Sequence, residues 1–195
     1  MHEDKLAQAC SKGDIVAQKE LFDAYSAALM AICKRYSGDS MEAEDFFQES
    51  FMLALKKIKK FKYIGEGSLK AWLSRVTVNY CISALRKQKR FVEYNETKYE
   101  EIDEPENEGG EDFYPENRHD MVTKTSFSND ELLQELNKLP EAFKVVFNLF
   151  VIEGLKHKEI ADMLSIKEKT SKTRLLRAKR MLQTQLYNRC LEMKS

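Results

Sequence analysis

From Asp14 to Tyr36 the apolar residues Ile15, Val16, Leu21, Phe22, Tyr25, Leu29, Ile32 and Cys33 recur at three- and four-residue spacing. That is the period of a helix buried on one side. Gly38 and Asp39 break the pattern. Asp39, followed three residues later by Glu42, reads as a capping box that opens a second helix running to about Phe61. Tyr63 to Gly67 is a loop. A third helix is predicted from near Ser68 through Trp72, Val76, Tyr80, Ile82 and Leu85 into the basic run Arg86 to Arg90.

Periodicity vanishes between Phe91 and Phe127, where Glu101 to Asp112 holds too little apolar surface to offset the cost of ordering. Residues 91–127 therefore read as a flexible acidic linker, with Tyr99, Phe113 and Tyr114 as aromatics able to dock. Order returns with the capping box Ser128 to Glu131, which leads a short helix ending before Pro140. The next segment, Glu141 to Glu153, is apolar nearly all round and reads as the buried helix of a small C-terminal domain, stopped by Gly154. Lys156 to Leu164, a tight turn at Ser165-Ile166 and a basic helix from about Lys167 then form a helix-turn-helix.

Composition sharpens this picture. Only 7 Gly and 3 Pro punctuate 195 residues, of which 43% are hydrophobic. A many-turned β fold is thereby excluded, and an all-α protein of two small helical domains joined by the linker is expected. The formal net charge of zero conceals a segregation: residues 1–90 carry +5, residues 91–130 carry −10, and residues 131–195 carry +5. Two separated basic bodies predict polyanion binding at two places. The four cysteines, Cys10, Cys33, Cys81 and Cys190, are too dispersed for a metal knuckle and read as reduced thiols packed in helices. There is no run of eighteen apolar residues, and Met1 to Lys5 lacks the order of a signal peptide, so a cytoplasmic chain without membrane insertion is expected.

On a helical wheel the second helix of the helix-turn-helix puts Ser171, Leu175, Ala178 and Leu182 on one side. Lys169, Thr173, Leu176, Arg177 and Arg180 gather opposite, with Lys172 at the flank. Arg and Lys reach guanine acceptors or phosphates, Thr173 bonds either way, and Leu176 can meet a thymine methyl. A solvated basic face would carry the same charges. The short helix and turn ahead of it, however, supply the geometry in which a second helix enters the major groove.

The N-terminal half offers an acidic cluster, Glu42, Glu44, Asp45 and Glu49, followed in the same helix by Lys56, Lys57, Lys59, Lys60 and, at its end, Lys62. Acids at the helix start and lysines toward its end suit the macrodipole. Catalysis by these carboxylates is disfavoured: no histidine lies nearby, and no phosphate loop or nucleophile motif appears elsewhere. In the next helix Trp72, Asn79 and Tyr80 precede a basic run, a combination able to hold an unpaired strand by stacking, base-edge bonds and phosphate contacts. Core packing is the favoured reading for Trp72 itself.

The strings Ala43 to Phe51, Gly67 to Leu73, Val78-Asn79-Tyr80 and Leu85-Arg86-Lys87 resemble region 2 of bacterial extracytoplasmic-function sigma factors. Leu139-Pro140, Glu153-Gly154, Lys158 to Ala161, Thr170, Lys172, Arg174-Leu175 and Arg177-Ala178 resemble their region 4. The two matches span roughly residues 10–90 and 128–187, in the family's order. The resemblance implies a non-enzymatic subunit without metal or cofactor. It would join core RNA polymerase, recognise promoter DNA at two elements and help melt the downstream one.

Within that resemblance, residues 1–90 correspond to region 2, 91–127 to the linker and 128–195 to region 4. Asp45, Gln48, Glu49 and Phe51 match the face that binds the clamp helices of the largest polymerase subunit, and the flap of the second-largest subunit is a further implied contact. The downstream element, in single-stranded form, would meet the loop before Ser68 and Asn79, Tyr80, Ser83, Arg86 and Lys87. The upstream element would be read as duplex by Lys167, Lys169, Lys172, Thr173, Leu176, Arg177 and Arg180. An anti-sigma protein is an implied regulator. The family usually places glycine at Ser165 and Lys169 and a small capping residue at Lys167, so the turn here must tolerate a side chain and the recognition helix loses its cap. The rival reading is a stand-alone helix-turn-helix regulator, and a third is a nucleic-acid-processing enzyme using Glu42 to Glu49, which would require a divalent metal.

Overall fold

Helices account for all the regular structure in the described residues of this computed structural model, which are 2–88, 122 and 126–193. The chain divides into two units, Met1–Gln88 and Lys89–Ser195. The linker read at 91–127 lies outside the described residues except for Val122, Ser126 and Phe127, and Tyr99, Phe113 and Tyr114 lie outside them too.

The first unit holds α1 (Glu3–Ser11), α2 (Ile15–Tyr36), α3 (Ser40–Lys57), a tight 3-10 turn at Ile58–Lys60, and α4 (Ser68–Lys87). Sequence periodicity gave no sign of α1, whose apolar side is only Leu6, Ala7 and Cys10. Helix α2 starts at Asp14, whose carboxylate accepts the Val16 and Ala17 amides at 2.9 and 3.1 Å. Its buried stripe runs through Ala17, Leu21, Leu29, Ile32, Cys33 and Tyr36. Ile15 and Val16, expected in that stripe, stand 80% and 75% exposed. Phe22, at the edge of the stripe and 43% exposed, meets Phe47 and Phe51 of α3 edge-on.

Asp39 caps α3 by accepting the Glu42 amide at 2.8 Å, but the Glu42 carboxylate returns to the Gly38 amide at 2.6 Å. The box thus closes one residue earlier than its sequence form. The α-helix also stops at Lys57 and not near Phe61. It tightens into the 3-10 turn, in which Ile58 is buried between exposed lysines. Leu21, Leu29 and Tyr36 of α2, Ala43, Phe46 and Ala54 of α3, and Leu69, Leu73 and Leu85 of α4 are all buried in this unit's core. All four cysteines are buried, and none is in a disulfide. The Cys81 thiol donates a hydrogen bond to Cys33, and that bond, together with burial, pushes it up and keeps it protonated.

The second unit comprises α5 (Asn129–Asn137), α6 (Glu141–Phe147), a wider turn at Asn148–Ile152, α7 (His157–Leu164) and α8 (Glu168–Glu192). The box at the start of α5 is complete: Glu131 accepts the Ser128 amide at 2.9 Å, and the Ser128 hydroxyl accepts the Glu131 amide at 3.3 Å. Leu136, Leu139, Ala142, Phe143 and Ala178 form the core, with Phe147 and Met181 packed against it. Arg189 of α8 reaches back to Glu131 at 3.1 Å and Glu135 at 3.3 Å on α5.

The segment expected as one helix from Glu141 to Glu153, buried all round, changes pitch halfway. The Glu153 amide donates to the Asn148 carbonyl five residues back at 2.9 Å, a π-type turn. That wider turn leaves Val151 and Ile152 exposed. Gly154 ends it at φ 70, where the Leu155 amide closes onto the Leu149 carbonyl at 2.9 Å.

Candidate nucleic-acid interface

In the second unit, α7 ends at Ser165, which adopts the left-handed conformation (φ 56, ψ 44) while the Ile166 amide donates to the Ala161 carbonyl at 3.0 Å. The turn keeps a glycine-like geometry with a serine in it. Lys167 then occupies the extended position before α8 without offering a side-chain cap. In the first turn Glu168 pairs instead with Lys172 at 3.1 Å. Inside, Ser171, Leu175 and Ala178 are buried, and Leu182 is half-buried. Arg174 is buried as well, a placement the wheel did not assign.

His157 locks α7 to α8: its Nδ1 lies 3.0 Å from the Ser171 hydroxyl, and its ring stacks on Phe150 at 4.4 Å between centroids. Burial, then the neighbouring Lys172 charge, hold this imidazole below its ordinary value and favour its neutral form. On the opposite side Lys167, Lys169, Lys172 and Leu176 are exposed, while Thr173, Arg177 and Arg180 are half-buried. A continuous face of cations with one hydroxyl and one apolar contact is chemically suited to the edge of a base pair and the phosphates beside it.

The first unit assembles its candidate residues from two helices. Asp45, Gln48 and Glu49 project from α3 into solvent. Phe51 is half-buried in an aromatic cluster, 5.5 Å from Phe22 and 5.8 Å from Phe47 between centroids. On α4, Asn79, Ser83, Arg86 and Lys87 are exposed, and Tyr80 packs edge-on against Phe46 at 6.1 Å. Trp72, half-buried, meets Phe61 edge-on at 5.9 Å and so braces the foot of the loop that precedes α4.

Asn79, Tyr80, Ser83 and Lys87 line one groove of about 360 Å³ with Val76, Ala84 and, from α3, Leu53 and Lys57. Arg86 is not among its lining residues. The sequence showed Lys57 only as part of a lysine run, and the step that brings it to Asn79 is the packing of α3 on α4. Burial and then the nearby carboxylates of Glu49 and Asp45 push the Tyr80 phenol above its ordinary value. The acidic face of α3 and the groove are therefore electrostatic neighbours. An amide, a phenol and two lysines around an apolar floor can seat one unpaired strand: bases stack and bond inside while phosphates meet the lysines.

Among described families, Sigma-70 region 2 matches residues 21–91 and Sigma-70, region 4 matches residues 129–182. The chain is 30% identical to the ECF RNA polymerase sigma factor SigW of Bacillus subtilis, over 93% of this chain and 95% of that protein. It is 26% identical to the ECF RNA polymerase sigma-E factor of Haemophilus influenzae, over 93% of each. In fold it is similar to the sigma factor RpoE from Bartonella quintana, solved in complex with the anti-sigma factor NepR. The TM-score is 0.50 at 24% identity, covering 87% of this chain and 96% of that one.

Proposed function

The chain belongs to the sigma-70 family, as an extracytoplasmic-function sigma factor that directs transcription initiation, and from that premise we propose how its residues divide the work. Residues 1–90 dock on core RNA polymerase through Asp45, Gln48, Glu49 and Phe51, set against the clamp helices of the largest subunit. Acids and an amide suit a basic coiled coil, and the aromatic cluster around Phe51 adds an apolar anchor. The groove of Asn79, Tyr80, Ser83 and Lys87, with Arg86 beyond its rim, receives the opened downstream strand. Residues 91–127 tether the two units. Residues 128–195 read the upstream element in the major groove from α8 and meet the flap of the second-largest subunit.

The observation that carries this reading is the division of α8 into a buried side of Ser171, Leu175 and Ala178 and an opposite side bearing Lys169, Lys172, Thr173, Leu176, Arg177 and Arg180, with Lys167 exposed just ahead of the helix. The factor is non-catalytic: it selects and opens a promoter, and the polymerase performs the chemistry. It works in the cytoplasm, with its polymerase, on a signal-responsive set of promoters. An anti-sigma protein is its proposed regulator, in keeping with the complex in which RpoE of Bartonella quintana was solved. The stand-alone regulator is disfavoured because region 2 matches as well as region 4.

Reconstitution with bacterial core polymerase tests the reading. Promoter-specific transcripts from genomic DNA, absent with core enzyme alone, are expected. Duplex binding by the free chain with no binding to core polymerase would instead establish the stand-alone regulator.

A further inference from the structure

The loop that this function places beside the opened strand is held from a distance. Gly67 precedes α4 at φ 82 and has no side chain, so the first amides of the helix receive no local cap. Glu3 supplies one from α1. Its Oε2 accepts the Leu69 amide at 3.1 Å, while its Oε1 accepts the Tyr25 hydroxyl at 3.2 Å. The carboxylate thus ties α1, α2 and the start of α4 together, at the end of α4 where the helix dipole favours an anion.

One residue earlier, the His2 ring lies edge-on to Tyr63 with centroids 4.9 Å apart, and its Nε2 is 3.3 Å from the phenolic oxygen. Two successive residues therefore grip the loop at Tyr63 on one side and at Leu69 on the other. Between those points lie Gly65 (φ 148), Gly67 and Ile64, which is 89% exposed. That stretch has little packing of its own to fix it. Helices α2, α3 and α5, by contrast, are capped by the residue directly before them, Asp14, Asp39 and Ser128.

We propose that Glu3, assisted by His2, is a positioning residue for promoter opening: it sets the 61–67 loop and the first turn of α4 in the geometry that receives the unpaired strand. This rests on the function proposed above. Glu3 touches the recognition elements and not the DNA. The body of α4 stays anchored without it, because Leu69, Leu73, Thr77 and Cys81 are fully buried further along. Its loss should therefore be felt in strand capture before it is felt in folding.

The test uses the full chain with core polymerase on a duplex promoter and on the same promoter with a pre-melted bubble. Opening is followed by permanganate reactivity, and Asn79→Ala serves as a groove control. Glu3→Ala is expected to slow opening about three- to tenfold, the size of a lost helix cap. Polymerase affinity and upstream-element binding should be unchanged, and the bubble should restore transcript yield. Glu3→Gln keeps an acceptor oxygen for the Leu69 amide and should retain most of the parental rate. Normal opening by Glu3→Ala, while Asn79→Ala opens poorly, would overturn the proposal. A parallel fall in polymerase affinity, or a bubble that restores nothing, would also overturn it, reducing the contact to a tie of the fold. A parent chain that opens no promoter would refute the proposed function itself.

Discussion

Helix α8 carries its candidate contacts on one face and is aimed by the turn directly ahead of it, at Ser165. Helix α4 shares its groove with Leu53 and Lys57 of α3 and takes its N-terminal cap from Glu3, 66 residues away. On the function proposed above, the difference follows from what each has to hold. A duplex presents a regular groove, and one rigid helix with a periodic face fits it. An unpaired strand has no fixed shape, so its receiver must supply stacking, base-edge and phosphate contacts from several directions, which one helix face cannot do. Damage should accordingly be confined to single base positions in the second unit. In the first it should be spread over steps, since the surfaces proposed for polymerase docking and strand capture adjoin.

The sharpest way to break that comparison is through the acidic face of α3. Asp45→Ala combined with Glu49→Ala should cost about 2–5 kcal/mol of core polymerase affinity if these carboxylates become buried against cations in the complex. The melting temperature should stay close to that of the parent, because both side chains are exposed in the free chain and exposed charges contribute little to stability. Fluorescence anisotropy with labelled core enzyme, beside a thermal melt, separates the two. Parental affinity in the double variant would show that the partner face lies elsewhere.

Next in size is the contrast within α8. Arg177→Ala should cost about 1–3 kcal/mol on the upstream element and relax preference at one or two base pairs, as loss of a bidentate guanine contact does. Lys167→Ala, at the exposed start of the helix, should weaken all sequences alike and flatten the dependence of affinity on salt. Binding measured over a panel of single-base substitutions at two ionic strengths distinguishes them. If both variants behave identically, the face binds backbone only, and the claim of a base-reading helix fails.

These expectations also show which features could be read from the chain before folding. The outward face of α8 is a matter of 3.6-residue period, so Leu176 and Lys169 were placed from spacing alone. Ser128 with Glu131 and Asp39 before α3 are local caps whose partners lie within a few residues. The cap on α4 is invisible by the same logic: nothing near Gly67 marks Glu3, and α1 itself has too few apolar positions to show a period. Lys57 joined the groove only through the packing of α3 on α4. Val16 misled because it has the right residue type on the far side of the stripe; Ile15, in register with the buried Cys33, is the first residue of α2 and stands exposed. The pitch change at Asn148–Ile152 exposed Val151 and Ile152 because a run apolar on every side gives no hint of which face will lose its cover.

A smaller effect tests whether the turn ahead of α8 aims the helix at some cost in stability. Ser165 sits at φ 56, a conformation that disfavours side chains by about 1–2 kcal/mol, and glycine returns part of this gain as unfolded-state entropy. Ser165→Gly should thus stabilise the second unit by roughly 0.5–1 kcal/mol net. Gly154→Ala, at φ 70 with open space around its added methyl, should destabilise it by a similar amount through backbone strain alone. Hydrogen exchange reads the two units separately, and both changes should appear in α7 and α8 while α2 to α4 stay as they were. A destabilising Ser165→Gly would mean that the serine side chain, and not the turn geometry, holds the recognition helix in place.

The smallest expected effect sets the locally made cap of α5 against the borrowed cap of α4. The Ser128 amide, then its hydroxyl, then the Arg189 guanidinium draw the Glu131 carboxyl down to about 2, against an ordinary 4.5. A group whose folded value lies below its unfolded one stabilises the fold fully above pH 4.5, and that contribution fades as pH falls toward 2. No change should therefore be seen near neutrality. Below pH 4.5, α5 should begin to loosen at its N-terminal turn. An NMR titration of the Glu131 side-chain carboxyl carbon should give a midpoint near 2 in the parent. Arg189→Ala should raise that midpoint only part of the way, because the Ser128 amide at 2.9 Å and hydroxyl at 2.8 Å remain in place. If Arg189→Ala instead carries Glu131 all the way to its ordinary value, the capping box contributes nothing and α5 is held from α8. The second unit would then, like the first, depend on a partner remote in sequence, and the contrast between local and borrowed caps would collapse.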